Sequence, residues 1–316
     1  LNFKIYSDKD FPPYLPKMGK LYDDLFSGGK GFRSVLTRKV ADPLGVPNKT
    51  ILLLCQTIEF IHNASLLHDD LVDGSHLRRG KTAAWKKYTP EYAVLAGDYL
   101  LARVMCNLSE NGNIELIRLT SQTISELLEG EWLQDSLVGN FNLSFEQLTE
   151  VHGLKTATLF RWCLWAPFVA MEISDHKIGD LVKELGTLLG VLFQRSDDLL
   201  DFDIRNDEKK AILGDLKSGY MNSFATYATG NWSADARLQL KSVESLEDFI
   251  SLFGRAEYTN KVKEFDNNNQ SLIDLYHHHL LELEALLAPS QKSIIENLKP
   301  LGHLMYWRTL DKKEGE

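Results

Sequence analysis

Little in this chain supports cross-linking, membrane insertion or nucleic-acid binding. Only three cysteines occur in 316 residues, Cys55, Cys106 and Cys163, far apart and in apolar stretches without a C-x-x-C pair. That spacing excludes a disulfide framework and a zinc-ligand pair, and it reads as thiols buried in a reducing compartment. No apolar run approaches the roughly 18 residues of a membrane span. The opening LNFKIYSDKD lacks a signal-peptide pattern, so a cytoplasmic location is expected, although a first residue of Leu1 leaves a removed targeting segment open. Basic residues are in deficit: 35 Lys and Arg against 44 Asp and Glu leave a formal charge of −9. A net acid lacks the basic footprint that a phosphate backbone needs, so no nucleic-acid partner is expected. A small phosphorylated ligand stays compatible where metal ions or a local basic pocket meet the phosphate.

Prolines number nine, and Pro12, Pro13 and Pro16 crowd the start. Alternating β-type runs are scarce. What is abundant is apolar residues at three- and four-residue spacing, the helical period. It predicts helices over 17–27, 31–42, 48–73, 90–110, 112–137, 145–172, 176–203, 218–229, 234–254, 258–264, 269–286 and 290–300. NNNQ at 267–270 predicts a turn between two of them, and residues 1–16 and 311–316 are expected to be irregular. No repeat and no linker divides the chain. An all-α, single-domain helical bundle over 1–316 follows, with sites built from side chains on facing helices.

The chemistry concentrates in IEFIHNASLLHDDLVDGSHLRRGK, residues 58–81. On a helix, Asp69 and Asp73 share a face one turn apart, continued back through Ser65 and His62, with Asp70 beside them. No base lies on that turn; Gly74 ends the helix, and Arg78–Arg79 follow. GVLFQRSDDLLDFD repeats the form: Asp197 and Asp201 share a face with Gln194, Gly190 and Gly186, and Asp198 lies beside them. Either cluster alone also fits a solvated acidic helix end. Two D-D-x-x-D clusters, each following apolar helix, fit it poorly. A buried carboxylate must be paired, protonated or bound to a cation. Oxygen ligands of this kind, completed by phosphates, suit Mg²⁺. Six carboxylates facing a diphosphate would repel it unless divalent ions intervene, so the arrangement points to carboxylate–metal–diphosphate chemistry.

Basic and polar partners are at hand. Lys30 and Arg33 lie in GGKGFRS, 28–34, at a helix mouth, where a solvated Gly-rich loop is the alternative. Arg78 and Arg79 point apart, and arginine grips phosphate oxygens bidentately, so the pair suits two diphosphates. Lys155 and Thr156, in HGLKTATLF, sit within a helix, where Lys is ordinarily exposed. His62 is either a core histidine or part of the pocket, and its place on the aspartate stripe favours the pocket. His68 and His277–His279 read as structural or surface residues.

GGKGFRS, EFIHNASLLHDDLVDGSHLRRGK, LAGDYLLARV, EGEWLQ, KTATLF and FQRSDDLLDF follow one another over roughly 28–202. On these segments the chain resembles the trans-isoprenyl diphosphate synthases, or polyprenyl synthetases, more like their medium- and long-chain members; the likeness fades beyond about residue 215. The resemblance implies a bundle of the isoprenoid synthase type with a deep central cavity, usually a homodimer. It implies a Mg²⁺-dependent prenyltransferase of isoprenoid biosynthesis, with about three ions per active site. An allylic diphosphate binds through metal to Asp69, Asp70, Asp73, Asp197, Asp198 and Asp201. It loses diphosphate, and the double bond of isopentenyl diphosphate attacks the allylic cation in a head-to-tail 1′-4 condensation. By motif position, Lys30, Arg33, His62 and Arg79 hold isopentenyl diphosphate, while Arg78, Lys155, Thr156 and Gln194 serve the allylic substrate. Oxygens of Thr156 and Gln194 then stabilise the cation.

Two stretches depart from the family pattern. It usually carries GGKRxRP, where this chain has Gly31 in place of the Arg and Ser34 in place of the Pro. A flap of G-K-P-T type usually follows the second cluster; here the stretch is GDLKSGYMNSFA, 214–225, with Tyr220 at the usual lysine and Lys217 as a candidate substitute. Product length follows from the small Ala64 and Ser65, about 6 Å below Asp69 by helical rise. A ring there would block a growing chain early. Gly186 and Gly190 either leave further space or permit close helix packing. Ile58, Ile61, Leu101 and Met105 are candidate floor residues. Products of C20 or longer are expected, about C30–C50 by cavity logic and family analogy. A product that long would bring the chain to membrane surfaces. The alternatives are a geranylgeranyl diphosphate synthase, a non-catalytic subunit of a heteromeric synthase and, with less support, a terpene cyclase.

Overall fold

The computed structural model describes residues 9–26, 31–78, 80–202 and 212–308. Helices α1 (Pro16–Phe26), α2 (Phe32–Leu44) and α3 (Asn48–Val72) lead to a two-stranded hairpin, β1 (Leu77–Arg78) and β2 (Lys81–Thr82). Helices α4 (Ala84–Lys87), α5 (Pro90–Asn111), α6 (Ile114–Ser136) and α7 (Phe145–His152) follow. A π-helical turn, Gly153–Ala157, joins α7 to α8 (Thr158–Ala170), and α9 (His176–Leu200) comes next. The chain ends in α10 (Gly214–Lys217), α11 (Ser223–Ala228), α12 (Ala234–Arg237), α13 (Leu246–Phe253), α14 (Arg255–Leu286), α15 (Ser293–Leu298) and α16 (Leu301–Trp307). Among the described residues the hairpin is the only sheet. The described residues fall into two compact units: one up to Ile124 with Trp162–His176 and Pro289–Ile294, the other of Ser125–Arg161, Lys177–Ala288 and the chain from Ile295.

In the first unit α3 packs on α2 and α5. Its apolar residues, among them Leu54, Ile58, Phe60, Ile61, Ala64 and Leu67, are buried, as are Ala96, Leu100, Val104 and Leu108 of α5. By length and composition α3 is apolar enough to cross a membrane, but most of its apolar stretch is buried inside the protein, as in a core helix. Gly97 of α5 gives room to the histidine opposite: a Cβ there would stand 2.8 Å from His68 Cδ2, so the ring would have to move.

In the second unit, glycines let helices approach backbone. A Cβ on Gly186 would stand 2.6 Å from Arg161 Cα, one on Gly190 2.6 Å from Ala157 Cβ, and one on Gly130 of α6 2.6 Å from Lys155 N. Of the two readings of Gly186 and Gly190, close helix packing is the one observed. The expected turn at 267–270 is corrected: α14 runs through it without a break. Asparagine favours turns because its side chain competes for backbone groups. Here the buried Asn269 donates from Nδ2 to Phe265 O of the preceding turn (2.8 Å) and accepts from Arg195 Nη1 (3.1 Å). Tertiary pairing overrides local propensity. Replacing Asn269 with Leu should lower stability by about 1–3 kcal/mol, because Arg195 keeps its charge and loses an acceptor; urea denaturation measures the loss.

Candidate functional site

The first acidic helix end belongs to the first unit. Asp69 is half-buried, and the exposed Asp73 closes α3 as its C-cap, followed by Gly74 in the left-handed region at φ 62°. Asp70 turns inward, 4% exposed. No base lies on the last turn of α3, as expected, and the one that meets Asp70 comes from beyond it. The chain turns back at Gly74, where Ser75 N donates to Asp70 O (2.9 Å), and brings Arg78 of β1 within reach, its Nε (2.8 Å) and Nη2 both donating to Asp70 Oδ1. A turn of chain that periodicity does not register therefore pairs residues eight apart. Arg33 Nη1 lies 3.0 Å from His62 Nε2, which joins two of the four residues expected to hold isopentenyl diphosphate. The other two, Lys30 and Arg79, lie outside the described residues. Ser65 donates to His62 O (3.0 Å). Ala64, Ile58 and Ile61 are fully buried, and Leu101 and Met105 are half-buried. His68 approaches Val94 O (3.3 Å), while His277 approaches Lys299 O and His279 pairs with Glu282, consistent with structural or surface roles.

The second acidic end belongs to the second unit. Thr156, in the π-helical turn, donates to Gln194 Oε1 (2.8 Å), and Gln194 Nε2 donates to Asp198 Oδ1 (2.8 Å). A π turn inserts one residue into a helix and re-aims its side chains, and such turns recur at functional positions. Three of the residues expected at the allylic site thus form one chain of hydrogen bonds. Lys155 Nζ pairs with Glu131 of EGEWLQ at 2.5 Å. Asp198, 1% exposed, also accepts from Ser223 N (2.9 Å) and lies 3.4 Å from His152 Nε2. Burial raises its pKa, and the bonds from His152, Ser223 and Gln194 outweigh that and hold the carboxyl below the usual carboxylate range. Asp201 is fully buried, its Oδ2 accepting from Asp215 N (2.9 Å). Asp197 remains partly exposed beside Arg308, whose Nη2 lies 3.2 Å from Oδ1.

The departing 214–225 stretch closes on this cluster by contacts of its own. Asn222 Nδ2 donates to Asp198 O (3.1 Å) and to Asp215 Oδ2 (3.0 Å). Tyr220 is buried, and burial first, then Asp198 and Asp215, push its phenol well above its usual pKa. Lys217 is exposed in a surface groove with Leu216, Lys241 and Glu244. Glu131, His152, Asp215, Asn222, Ser223 and Arg308 were not among the expected site residues. A signal existed for two of them: Glu131 lies in a motif segment, and His152 stands three residues before Lys155.

Both clusters oppose their helices. A helix C-terminus carries negative partial charge, which disfavours carboxylates by about 0.3–1 kcal/mol each at the surface. Neither α3 nor α9 has a basic residue in its last turn. A divalent cation reverses that cost, and all-oxygen donors fit Mg²⁺. Asp69, Asp73 and Asp197 have the exposure a metal ligand needs; Asp70, Asp198 and Asp201 are buried and hold protein donors. Among the described residues no three His, Cys, Asp or Glu side chains form a preassembled metal cage.

The polyprenyl synthetase family profile matches residues 16–251, past the point where motif likeness fades. The chain belongs to the polyprenyl synthetase family. Octaprenyl diphosphate synthase of Escherichia coli (strain K12) is 31% identical over 188 residues, 60% of this chain and 58% of that protein. Decaprenyl-diphosphate synthase of Dictyostelium discoideum is 32% identical over 274 residues, 83% of this chain and 59% of that protein. The chain thus spans less than two thirds of the length of these relatives. Among solved structures, a decaprenyl diphosphate synthase from Rhodobacter capsulatus superposes with a TM-score of 0.82 at 25% identity, covering 95% of this chain and 93% of that one. A polyprenyl synthase from Caulobacter crescentus CB15, complexed with calcium and isoprenyl diphosphate, gives 0.76 at 27% identity over 96% and 92%. The expected all-α isoprenoid synthase fold is the one observed.

Proposed function

We propose that this chain is a Mg²⁺-dependent trans-prenyltransferase. It condenses isopentenyl diphosphate with an allylic diphosphate to an all-trans polyprenyl diphosphate of C20 or longer, about C30–C50 by family analogy. The observation that carries the reading is the pair of D-D-x-x-D helix ends, one of them tied through Gln194 to Thr156. Asp69, Asp73 and Asp197 are the carboxylates suited to hold Mg²⁺. When bound, Mg²⁺ supplies Lewis-acid stabilisation of the departing diphosphate. Arg33 and His62, with Lys30 and Arg79, bind isopentenyl diphosphate. Arg78 and Lys155 orient the allylic diphosphate, each steadied by a carboxylate, Asp70 and Glu131 respectively. The Thr156 hydroxyl donates to Gln194, so its lone pairs remain for the developing allylic cation. The allylic C–O bond breaks, the isopentenyl double bond forms the new C–C bond, and the proton released passes to the departed diphosphate.

A homodimer is part of the proposal. Trp132 and Leu128, one turn apart on α6, are 77% and 48% exposed, a pairing suited to burial against a second copy. Mass analysis of products from isopentenyl and farnesyl diphosphates with Mg²⁺ tests the reading. The expected result is a polyprenyl diphosphate in the C30–C50 range, about six to ten isoprene units. Geranylgeranyl diphosphate alone supports the short-chain alternative, and absence of turnover by the isolated chain supports the non-catalytic one. Ser65→Phe should shorten the product, since a ring one turn below Asp69 would block the growing chain. An unchanged length in the same assay places the growing chain elsewhere.

A further inference from the structure

The start of α2 lacks a cap of its own. Gly31 occupies the N-cap position in the left-handed region (φ 56°) and has no side chain to accept from the first-turn N–H groups. The acceptor comes from α3. Ser34 N (3.1 Å) and Ser34 Oγ (2.6 Å) both donate to Glu59 Oε1. Ser34 is fully buried and Glu59 is 7% exposed, so these bonds form in a dry environment where a charged acceptor counts most. A carboxylate at a helix N-terminus is also favoured by the dipole. Ser34 stands at the motif position usually held by Pro, which has no N–H to give.

Arg33 lies inside this arrangement. Its carbonyl accepts from Thr37 Oγ1 (2.9 Å), and its Nη1 meets His62 Nε2. Glu59 and His62 are three residues apart, hence on one face of α3. One residue of that face fixes the backbone beside Arg33, and the other fixes its guanidinium.

We propose that Ser34 and Glu59 are a positioning pair for Arg33 that sets the affinity of its diphosphate site. This rests on the functional reading above, in which Arg33 binds isopentenyl diphosphate. Neither residue touches substrate; each acts through the first turn of α2. Steady-state kinetics of Ser34→Ala, Ser34→Thr, Glu59→Gln and Arg33→Ala separate the possibilities. Glu59→Gln should raise KM for isopentenyl diphosphate about tenfold and Ser34→Ala about threefold, the scale of a lost charge-assisted bond and a lost hydroxyl bond. In both, kcat and KM for the allylic substrate should stay within about twofold, and Ser34→Thr, which restores the hydroxyl, should recover most of the loss. If Arg33→Ala raises KM for isopentenyl diphosphate and the Ser34 and Glu59 variants do not, the positioning role is overturned. If those variants lower kcat, raise both KM values and depress Tm together, the pair is structural only and the inference is again overturned. If Arg33→Ala leaves that KM unchanged, the diphosphate reading itself fails, and this inference with it.

Discussion

Asp69→Ala should reduce turnover by about a thousandfold or more, since on the proposed reading it removes a metal ligand from a diphosphate site. The same change should leave the fold intact, Asp69 being half-buried at a helix end. Asp69 lies at the C-terminal end of α3, one turn from Asp73, where a carboxylate is disfavoured by the dipole and by its neighbour. Single-turnover rates and thermal unfolding on one preparation test both halves. Near-normal activity refutes the metal role. Asp70→Ala is the contrasting case. Its carboxylate is buried and paired with Arg78, so its loss leaves a partly buried guanidinium without its acceptor and lowers stability as well.

Gly190→Val should be as damaging for a different reason. A Cβ there meets Ala157 in backbone as well as side chain, with N at 2.9 Å, so α9 and the π-helical turn must separate. Overpacking of this kind costs about 1–3 kcal/mol and occasionally more. The separation also pulls Thr156 away from Gln194, a 2.8 Å bond in this structure. Urea denaturation should show the stability loss, and kcat should fall by about tenfold or more in the folded fraction. Ala157→Gly in the same chain should recover little, because the Ala157 backbone, which a Cβ would still meet, remains.

Much of this was legible in the sequence, for identifiable reasons. The helices follow apolar spacing, and Asp69 with Asp73 share a face because a helix repeats every 3.6 residues. Gly74 ends α3 as expected, in the left-handed conformation. What stayed hidden is whatever depends on chain returning from a distance. Asp70 and Arg78 meet only because the chain turns back at Gly74 between them. Ser223 donates to Asp198 across 25 positions, and Arg308 reaches Asp197 across 111. Asn269 reads as a turn residue until Arg195 is known to face it. The departures at Ser34 and Tyr220 are visible in the sequence as differences from a motif, but their consequences are not. Ser34 gains Glu59, and Tyr220 is buried within a segment that donates to the second cluster.

The central proposal is that the carboxylate helix ends hold diphosphate through magnesium. Calorimetric titration of Mg²⁺ into the chain, with and without an unreactive allylic thiodiphosphate, tests this most directly. The predicted result is tight Mg²⁺ uptake only when the analogue is present, lost in Asp69→Ala and in Asp197→Ala alike. Analogue binding of equal strength with and without Mg²⁺, unchanged in both variants, would contradict it.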